Sequence, residues 1–247
     1  MSKTIDYGGY RDWKNWSQSD FGKTTHEEAL YFDSELRKVG IASLQDVHIV
    51  EIGFGNGSFA AWARERGARY SGIEAIDDLV TCAKLHGYTA EGSGMALDSW
   101  LVSDSVDLVV AFDVFEHIDL PDLIELLRKL KTVLKPNALL MARIPSGDSP
   151  FSSAIQNGDL THCKPIGSSA VRQIALKAGL ELVTIREPSL PVIGLTWRQL
   201  FRRVALLALR RPIYLIISNV LMGGGGPILS PNMLFVLKKP RTDDCIC

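Results

Sequence analysis

The segment Val47-His-Ile-Val-Glu-Ile-Gly-Phe-Gly-Asn-Gly-Ser58 constrains this chain more than any other. Its first six residues are a short apolar run with β-branched side chains, ended by glycines at 53, 55 and 57, which reads as a buried strand. The glycines let the backbone turn sharply at the strand's carboxyl end and let a ligand approach where a Cβ would obstruct it. Ser58 is placed to cap a helix running to about Arg66, with Gly67 closing it. Strand, glycine turn and helix together open a βαβ unit, whose sheet must be covered on both faces.

The same alternation continues. Strands are expected at Arg69–Glu74, Val106–Phe112, Ala138–Ile144, Leu180–Arg186 and Met233–Leu237, and helices at Asp77–Leu85 and Ser169–Ala178. The strongest helix spans Pro121–Leu134, with leucines 123, 126, 127, 130 and 134 at helical spacing and Lys135-Pro136 as its stop. The expected fold is α/β: a doubly wound, mostly parallel seven-stranded sheet with an N-terminal helical leader and an insertion before the last strand. The leader, residues 1–46, is rich in aromatics (Tyr7, Tyr10, Trp13, Trp16, Phe21, Tyr31, Phe32) and turns helical from about Thr25 to Val39. Residues 47–188 form the core, 189–231 a basic and apolar insertion, 232–240 the core's last strand and 241–247 a tail.

Composition narrows the function classes. Hydrophobic residues make up 46% of 247, enough for a packed core, and 27 Lys plus Arg against 28 Asp plus Glu give no reason to expect a nucleic-acid partner. A small molecule fits better. Cys82, Cys163, Cys245 and Cys247 form no Cys-x-x-Cys pair, and no histidines stand at zinc spacing, so reduced thiols and no metal site are expected. The start lacks a secretory signal, the final Cys-Ile-Cys reads as a tail rather than a prenylation signal, and no apolar run approaches the ~20 residues of a spanning helix. A cytoplasmic protein is expected.

A glycine loop alone also serves nucleotide-binding dehydrogenases. Three features separate the readings: the acid Glu51 before the first glycine, the Gly-x-Gly-x-Gly spacing in place of Gly-x-Gly-x-x-Gly, and Glu74 at the end of the second strand. There a carboxylate can accept both hydroxyls of a ribose. With Val106-Asp-Leu-Val-Val-Ala-Phe-Asp-Val-Phe-Glu-His-Ile118 and the Leu-Lys-Pro ending at Pro136, residues 47–187 resemble the class I S-adenosylmethionine-dependent methyltransferases. The resemblance implies that Gly53, Gly55 and Gly57 pass beside the methionine part of S-adenosyl-L-methionine and that Glu51 reaches its ammonium. Glu74 would bind the ribose, and Asp113 and Val114 would lie near the methionine or sulfonium. The acid that often reads the adenine is replaced by Ser93, which leaves that contact to Ser93, Gly94, Met95 or Asp98. The plainer readings are a capping or ion-paired Glu51 and a surface Glu74.

For the acceptor, the loop Asn157–Pro165 follows the fifth strand at the sheet's carboxyl rim and holds an acid and a histidine. His162 is the expected general base and Asp159 its orienting partner; His117 is read as a structural or cofactor-side residue. Asp-Leu-Thr-His, the later Ala-Gly-Leu and the leader's Trp16-Ser-Gln-Ser-Asp-Phe-Gly22 resemble methyltransferases of cell-surface glycan (O-antigen and polysaccharide) biosynthesis, which implies a sugar hydroxyl on a nucleotide- or lipid-linked glycan. The alternatives are a small hydrophobic metabolite of quinone or polyketide type, and a non-catalytic relative that only binds the cofactor. Residues 195–222 carry five arginines among Trp and Leu and no acid. They fit a peripheral contact at the inner face of a membrane, with Pro212 dividing two short helices, or a face packed on the domain or on a second copy in a homodimer.

Overall fold

The computed structural model describes residues 9–14, 16–221, 223 and 228–241; Tyr7, Gly224 to Gly226, and Cys245 and Cys247 lie outside them. Two leader helices, α1 (Tyr10–Trp13) and α2 (His26–Lys38), precede the sheet. The chain then runs β1 (His48–Ile52), α3 (Ser58–Glu65), β2 (Arg69–Glu74), α4 (Asp77–Leu85), β3 (Thr89–Gly92), α5 (Leu97–Trp100), β4 (Val106–Phe112), α6 (Leu120–Val133) and β5 (Leu134–Pro145). It continues through α7 (Ser153–Gln156), α8 (Ser168–Ala178), β6 (Glu181–Arg186), α9 (Trp197–Ile216) and β7 (Asn232–Lys238).

The seven strands form one sheet in the order β3-β2-β1-β4-β5-β7-β6. Strands β1 to β5 pair in parallel, and β7 runs antiparallel to both its neighbours. The order reverses between β1 and β4, so the loops leaving their carboxyl ends diverge and open a crevice there. Alternation along β4 shows how the faces are covered: Val109 and Ala111 pack with leucines 123, 127 and 130 of α6, while Leu108 and Val110 pack with Phe32, Phe59 and Trp62 of α2 and α3.

Three local expectations change. Helix α3 is entered through Gly57, left-handed at φ 73°, and Ser58 is its first residue instead of its cap. Gly57 takes that place because a positive φ suits a residue without a Cβ. Helix α6 stops at Val133 and passes directly into β5, whose first residues, Leu134 to Pro136, extend the expected strand backwards. Helix α9 runs unbroken through Pro212. Proline removes one helical hydrogen bond, but no residue of α9 is buried, so water can take the freed carbonyl.

Candidate active site

The crevice between the β1 and β4 loops is a cleft of about 1060 Å³. The leader closes over it. Gly22 N–H donates to Asn56 O at 2.8 Å, Asn56 Nδ2 donates to Asp20 O at 2.9 Å, and the Thr24 hydroxyl donates to Ser58 O at 2.6 Å. A Cβ on Gly55 would come within 2.9 Å of the Trp16 ring, on Gly57 within 2.8 Å of Phe21, and on Gly53 within 2.4 Å of Val114. The glycines are therefore required by positive φ at all three positions and by side chains packed against them; the space a Cβ would fill belongs to the protein. Gly53 and Gly55 line the cleft and Gly57 does not.

At this end Glu74, 8% exposed, accepts three backbone N–H groups: Gly55 at 2.9 Å on Oε2, and Ala75 at 2.7 Å and Ile76 at 3.1 Å on Oε1. Burial raises its pKa, and the three N–H bonds oppose the rise. Glu51 is buried deeper, receives the Tyr70 hydroxyl at 2.6 Å and has its pKa pushed up to about 8 by burial. Ser58 Oγ, at the mouth of α3, is buried without a hydrogen-bond partner. Ser93 and Met95 line the cleft; Gly94 and Asp98 do not, because the tight turn after β3 points them away from it. Val114 lines the cleft beside Gly53, and Asp113, at φ 58°, holds Arg143 through both its oxygens.

The other end is built from three distant segments. Glu116 and His117 lie in a 3₁₀ turn, Phe115–His117, just after β4. Residues 159–163 are stitched onto it: Cys163 N–H donates to Glu116 O at 2.8 Å, and Thr161 Oγ1 stands 2.8 Å from His117 Nδ1. Tyr10 of α1 donates its hydroxyl to Asp159 Oδ2 at 3.1 Å. The Thr161 hydroxyl has one proton, which goes to Asp159, so His117 Nδ1 carries the hydrogen of their bond and Nε2 carries the lone pair. Burial, then the neighbouring His162, lowers the His117 pKa to about 4. Burial works against Asp159, but the Thr161 hydroxyl and N–H outweigh it and leave its pKa low.

His117 lines the cleft; Asp159 and His162 do not. His162 sits behind it, its ring 4.7 Å from that of His117, with Nδ1 held by Gln156 O at 3.0 Å. The sequence reading brought the right loop to the site but put the wrong histidine first: α7 ends in a turn that binds His162 inward. It also missed Glu116, although the Glu-His pair was in view, and Thr161, Tyr10 and Arg143, whose roles depend on partners more than a hundred or some tens of residues away.

A family model described as a methyltransferase domain matches residues 25–185. No curated protein matches the chain. Among solved structures, a methyltransferase from Archaeoglobus fulgidus described as SAM dependent superimposes with a TM-score of 0.63 at 18% identity, covering 95% of this chain and 100% of its own. One from Mesorhizobium loti gives 0.56 at 18%, covering 84% and 97%. Phosphoethanolamine N-methyltransferase 2 of Haemonchus contortus, in complex with S-adenosyl-L-methionine, gives 0.57 at 13%, covering 97% of this chain and 61% of its own. At such identities these likenesses speak for the fold.

Proposed function

The chain belongs to the methyltransferase-domain family, whose cofactor is S-adenosylmethionine, and from that premise we propose that it methylates a hydroxyl of a sugar-like acceptor that enters the cleft beside His117. The observation that carries this reading is the polarity of the cleft: a ribose-competent carboxylate and glycine loop at one end, a histidine–carboxylate cluster at the other. The residues at the first end fit the cofactor. Ser58 Oγ is an orphaned buried polar atom at a helix start, suited to a carboxylate, and Glu51 offers a buried oxygen to an ammonium. Gly53, Gly55, Val114 and Asp113 border the methionine part, Glu74 meets the ribose, and Ser93 and Met95 flank the base. Bound there, the cofactor supplies a sulfonium methyl: the acceptor oxygen bonds to it as the carbon–sulfur bond breaks, the bonding pair stays on sulfur, and the hydroxyl proton must leave.

The protein's own share is alignment and removal of that proton. His117 is the cluster member that the acceptor meets, and the Asp159–Thr161 pair fixes its tautomer and ring orientation. Isotopically labelled methyl transfer into nucleotide-linked and lipid-linked glycans tests the acceptor class; label appearing only in apolar phenols would replace it. His117→Ala should cut turnover by about 10²–10⁴-fold with cofactor binding kept.

Helix α9 supports a lipid-linked acceptor. None of its residues is buried, and Trp197, Phe201, Leu209, Ile213 and Leu215 are exposed. Its first turn is pinned to α2, where Glu27 pairs with Arg203 at 3.2 Å and Gln199 Nε2 donates to Glu27 at 3.2 Å. Arg198, Arg202, Arg210 and Arg211 stay exposed with no acid between 195 and 222. Arginines among exposed Trp and Leu match an anionic lipid surface. No helix among the described residues is long and apolar enough to cross a membrane, which leaves this one to lie in the interface.

A further inference from the structure

The histidine–carboxylate cluster has a property that proton transfer alone does not explain. Glu116, His117 and His162 each offer one ligand atom, and the three atoms lie within 4.8 Å of one another. His162 Nε2 stands 4.0 Å from Glu116 Oε1 and 3.9 Å from Asp159 Oδ2. Both separations exceed the roughly 2.7–3.2 Å of a hydrogen bond to nitrogen. They suit two atoms bound to one ion: ligands at about 2.1 Å from a common centre are about 3.0 Å apart when adjacent and about 4.2 Å apart when opposed.

The protonation pattern points the same way. Gln156 O can only accept, so its bond to His162 Nδ1 puts the ring hydrogen there and a lone pair on Nε2, facing the two carboxylates. His117 is held in the same tautomer by Thr161. Two rings with Nδ1–H fixed by an outer partner and Nε2 turned inward is how proteins prepare imidazole ligands. Glu116 is 2% exposed, and its Oε2 has no hydrogen-bond partner. A buried carboxylate oxygen left so is costly unless a cation answers it. Only Asp113 and Asp159 among the acids, and Arg143 and His162 among the bases, bear on Glu116 from the elements around it, and Arg143 is already engaged by Asp113.

We propose that Glu116, His117 and His162, with Asp159 as a fourth donor, bind a divalent first-row transition-metal ion at the acceptor end of the cleft. Two imidazoles and carboxylate oxygen favour manganese, iron(II), cobalt or zinc over calcium. Because His117 borders the cleft, an ion held there has one side toward the acceptor and can take its hydroxyl oxygen as a further ligand, fixing which oxygen faces the methyl. This deepens the reading above and rests on it only for the end at which the acceptor sits.

The test uses the full chain, stripped with a chelator and dialysed, then titrated with Co²⁺ alone by calorimetry and visible absorption, and with Zn²⁺ in competition. One ion should bind per chain, with ligand-field bands of a nitrogen–oxygen site. His162→Ala and Glu116→Gln should each weaken binding at least ~10-fold, while both variants keep the S-adenosylhomocysteine affinity of the parent, which shows that they are folded. Failure of the parent to bind Co²⁺ or Zn²⁺, with or without S-adenosylhomocysteine, overturns the proposal. So does binding that both variants leave unchanged. Loss of S-adenosylhomocysteine binding in the stripped parent would count against the functional reading and not against the ion, since no ligand of the cofactor belongs to the cluster.

Discussion

Replacing Glu74 tests the cofactor end most directly. An ionised carboxylate has about four lone-pair sites. Three accept N–H groups here: Gly55 on Oε2, Ala75 and Ile76 on Oε1. One site remains, on Oε2, so the carboxylate can take one ribose hydroxyl directly and the second only by releasing Ile76, the longest of the three bonds at 3.1 Å. Ile76 is half-buried, and its N–H can turn to water at little cost. One charge-assisted bond is worth about 1.5–3 kcal/mol, and the second, net of the exchange, adds less. Glu74→Ala should therefore weaken S-adenosylhomocysteine binding by roughly 10²-fold, well short of what two unencumbered bonds would give.

The same substitution strands Gly55 N–H in the interior, at a cost of about 1–3 kcal/mol to stability. Glu74→Gln separates the two effects. Its amide oxygen can keep the Gly55 bond and so the loop, but the acceptor is neutral, so affinity should fall by about 10-fold with little loss in melting temperature. Calorimetry with S-adenosylhomocysteine gives the affinities and thermal unfolding without ligand gives the stabilities. Unchanged affinity in Glu74→Ala would refute the ribose assignment. A Glu74→Gln variant that unfolds as readily as Glu74→Ala would show that the loop depends on the charge and not on the Gly55 bond.

Gly53→Ala must hold a Cβ at φ 69° and 2.4 Å from Val114 Cγ2, and should lose about 2–4 kcal/mol in denaturant unfolding; adding Val114→Ala should return the steric part and leave the backbone strain, and full recovery would show that φ imposes no penalty. Glu51, with its pKa pushed up from 4.5 to about 8, binds a proton in the folded chain that the unfolded chain has lost, so its stabilising contribution is complete below pH 4.5 and is lost as pH rises through 8. Stability of the ligand-free protein should fall by up to about 1.4 kcal/mol per pH unit across that window, and Glu51→Gln should flatten the slope; identical pH profiles would exclude Glu51 as its source. The chain should float with anionic but not neutral liposomes, with salt and Arg198→Glu plus Arg202→Glu weakening it; a salt-insensitive dimer that Phe201→Asp breaks would assign α9 to a second copy instead.

What the sequence made legible follows from the range of the interactions involved. The glycine turn, Glu51, Glu74 and the Val106–Phe112 strand are decided within a dozen residues of chain, and periodicity and spacing report such short-range requirements well. Seven strands, the helices between them and the crevice at the reversal of strand order were accessible by that route. Ser58 was misjudged as a cap because its hydroxyl is a good acceptor in isolation, whereas the turn needed a left-handed residue at 57 and so shifted the helix start. Pro212 was misjudged because proline breaks helices whose carbonyls have no other partner, and an exposed helix has water. The acceptor end is a different case. Tyr10, Glu116, His117, Thr161 and His162 meet only after the sheet has placed three loops together, and which of two histidines faces the cleft is decided by Gln156 O and Thr161 Oγ1. No local pattern encodes that choice.

The two ends of the cleft are thus held by different means. The cofactor end is fixed by backbone: N–H groups of residues 55, 75 and 76 on one carboxylate, and positive φ at three glycines. Substitution there acts on folding and binding together, and few side chains satisfy it. The acceptor end is fixed by side chains on loops that can lengthen or shift without disturbing the sheet. Tyr10 ties the leader to Asp159, so the segment that packs over the glycine loop through Trp16 and Phe21 also reaches the histidine cluster. Closing the leader therefore completes both ends at once: Trp16 covers the cofactor loop as Asp159 gains its third hydrogen-bond donor. The order this favours is cofactor first, because a leader already closed over Gly55 would bar its entry, and an acceptor site assembled only when the leader is down keeps water away from the methyl until the hydroxyl is in place.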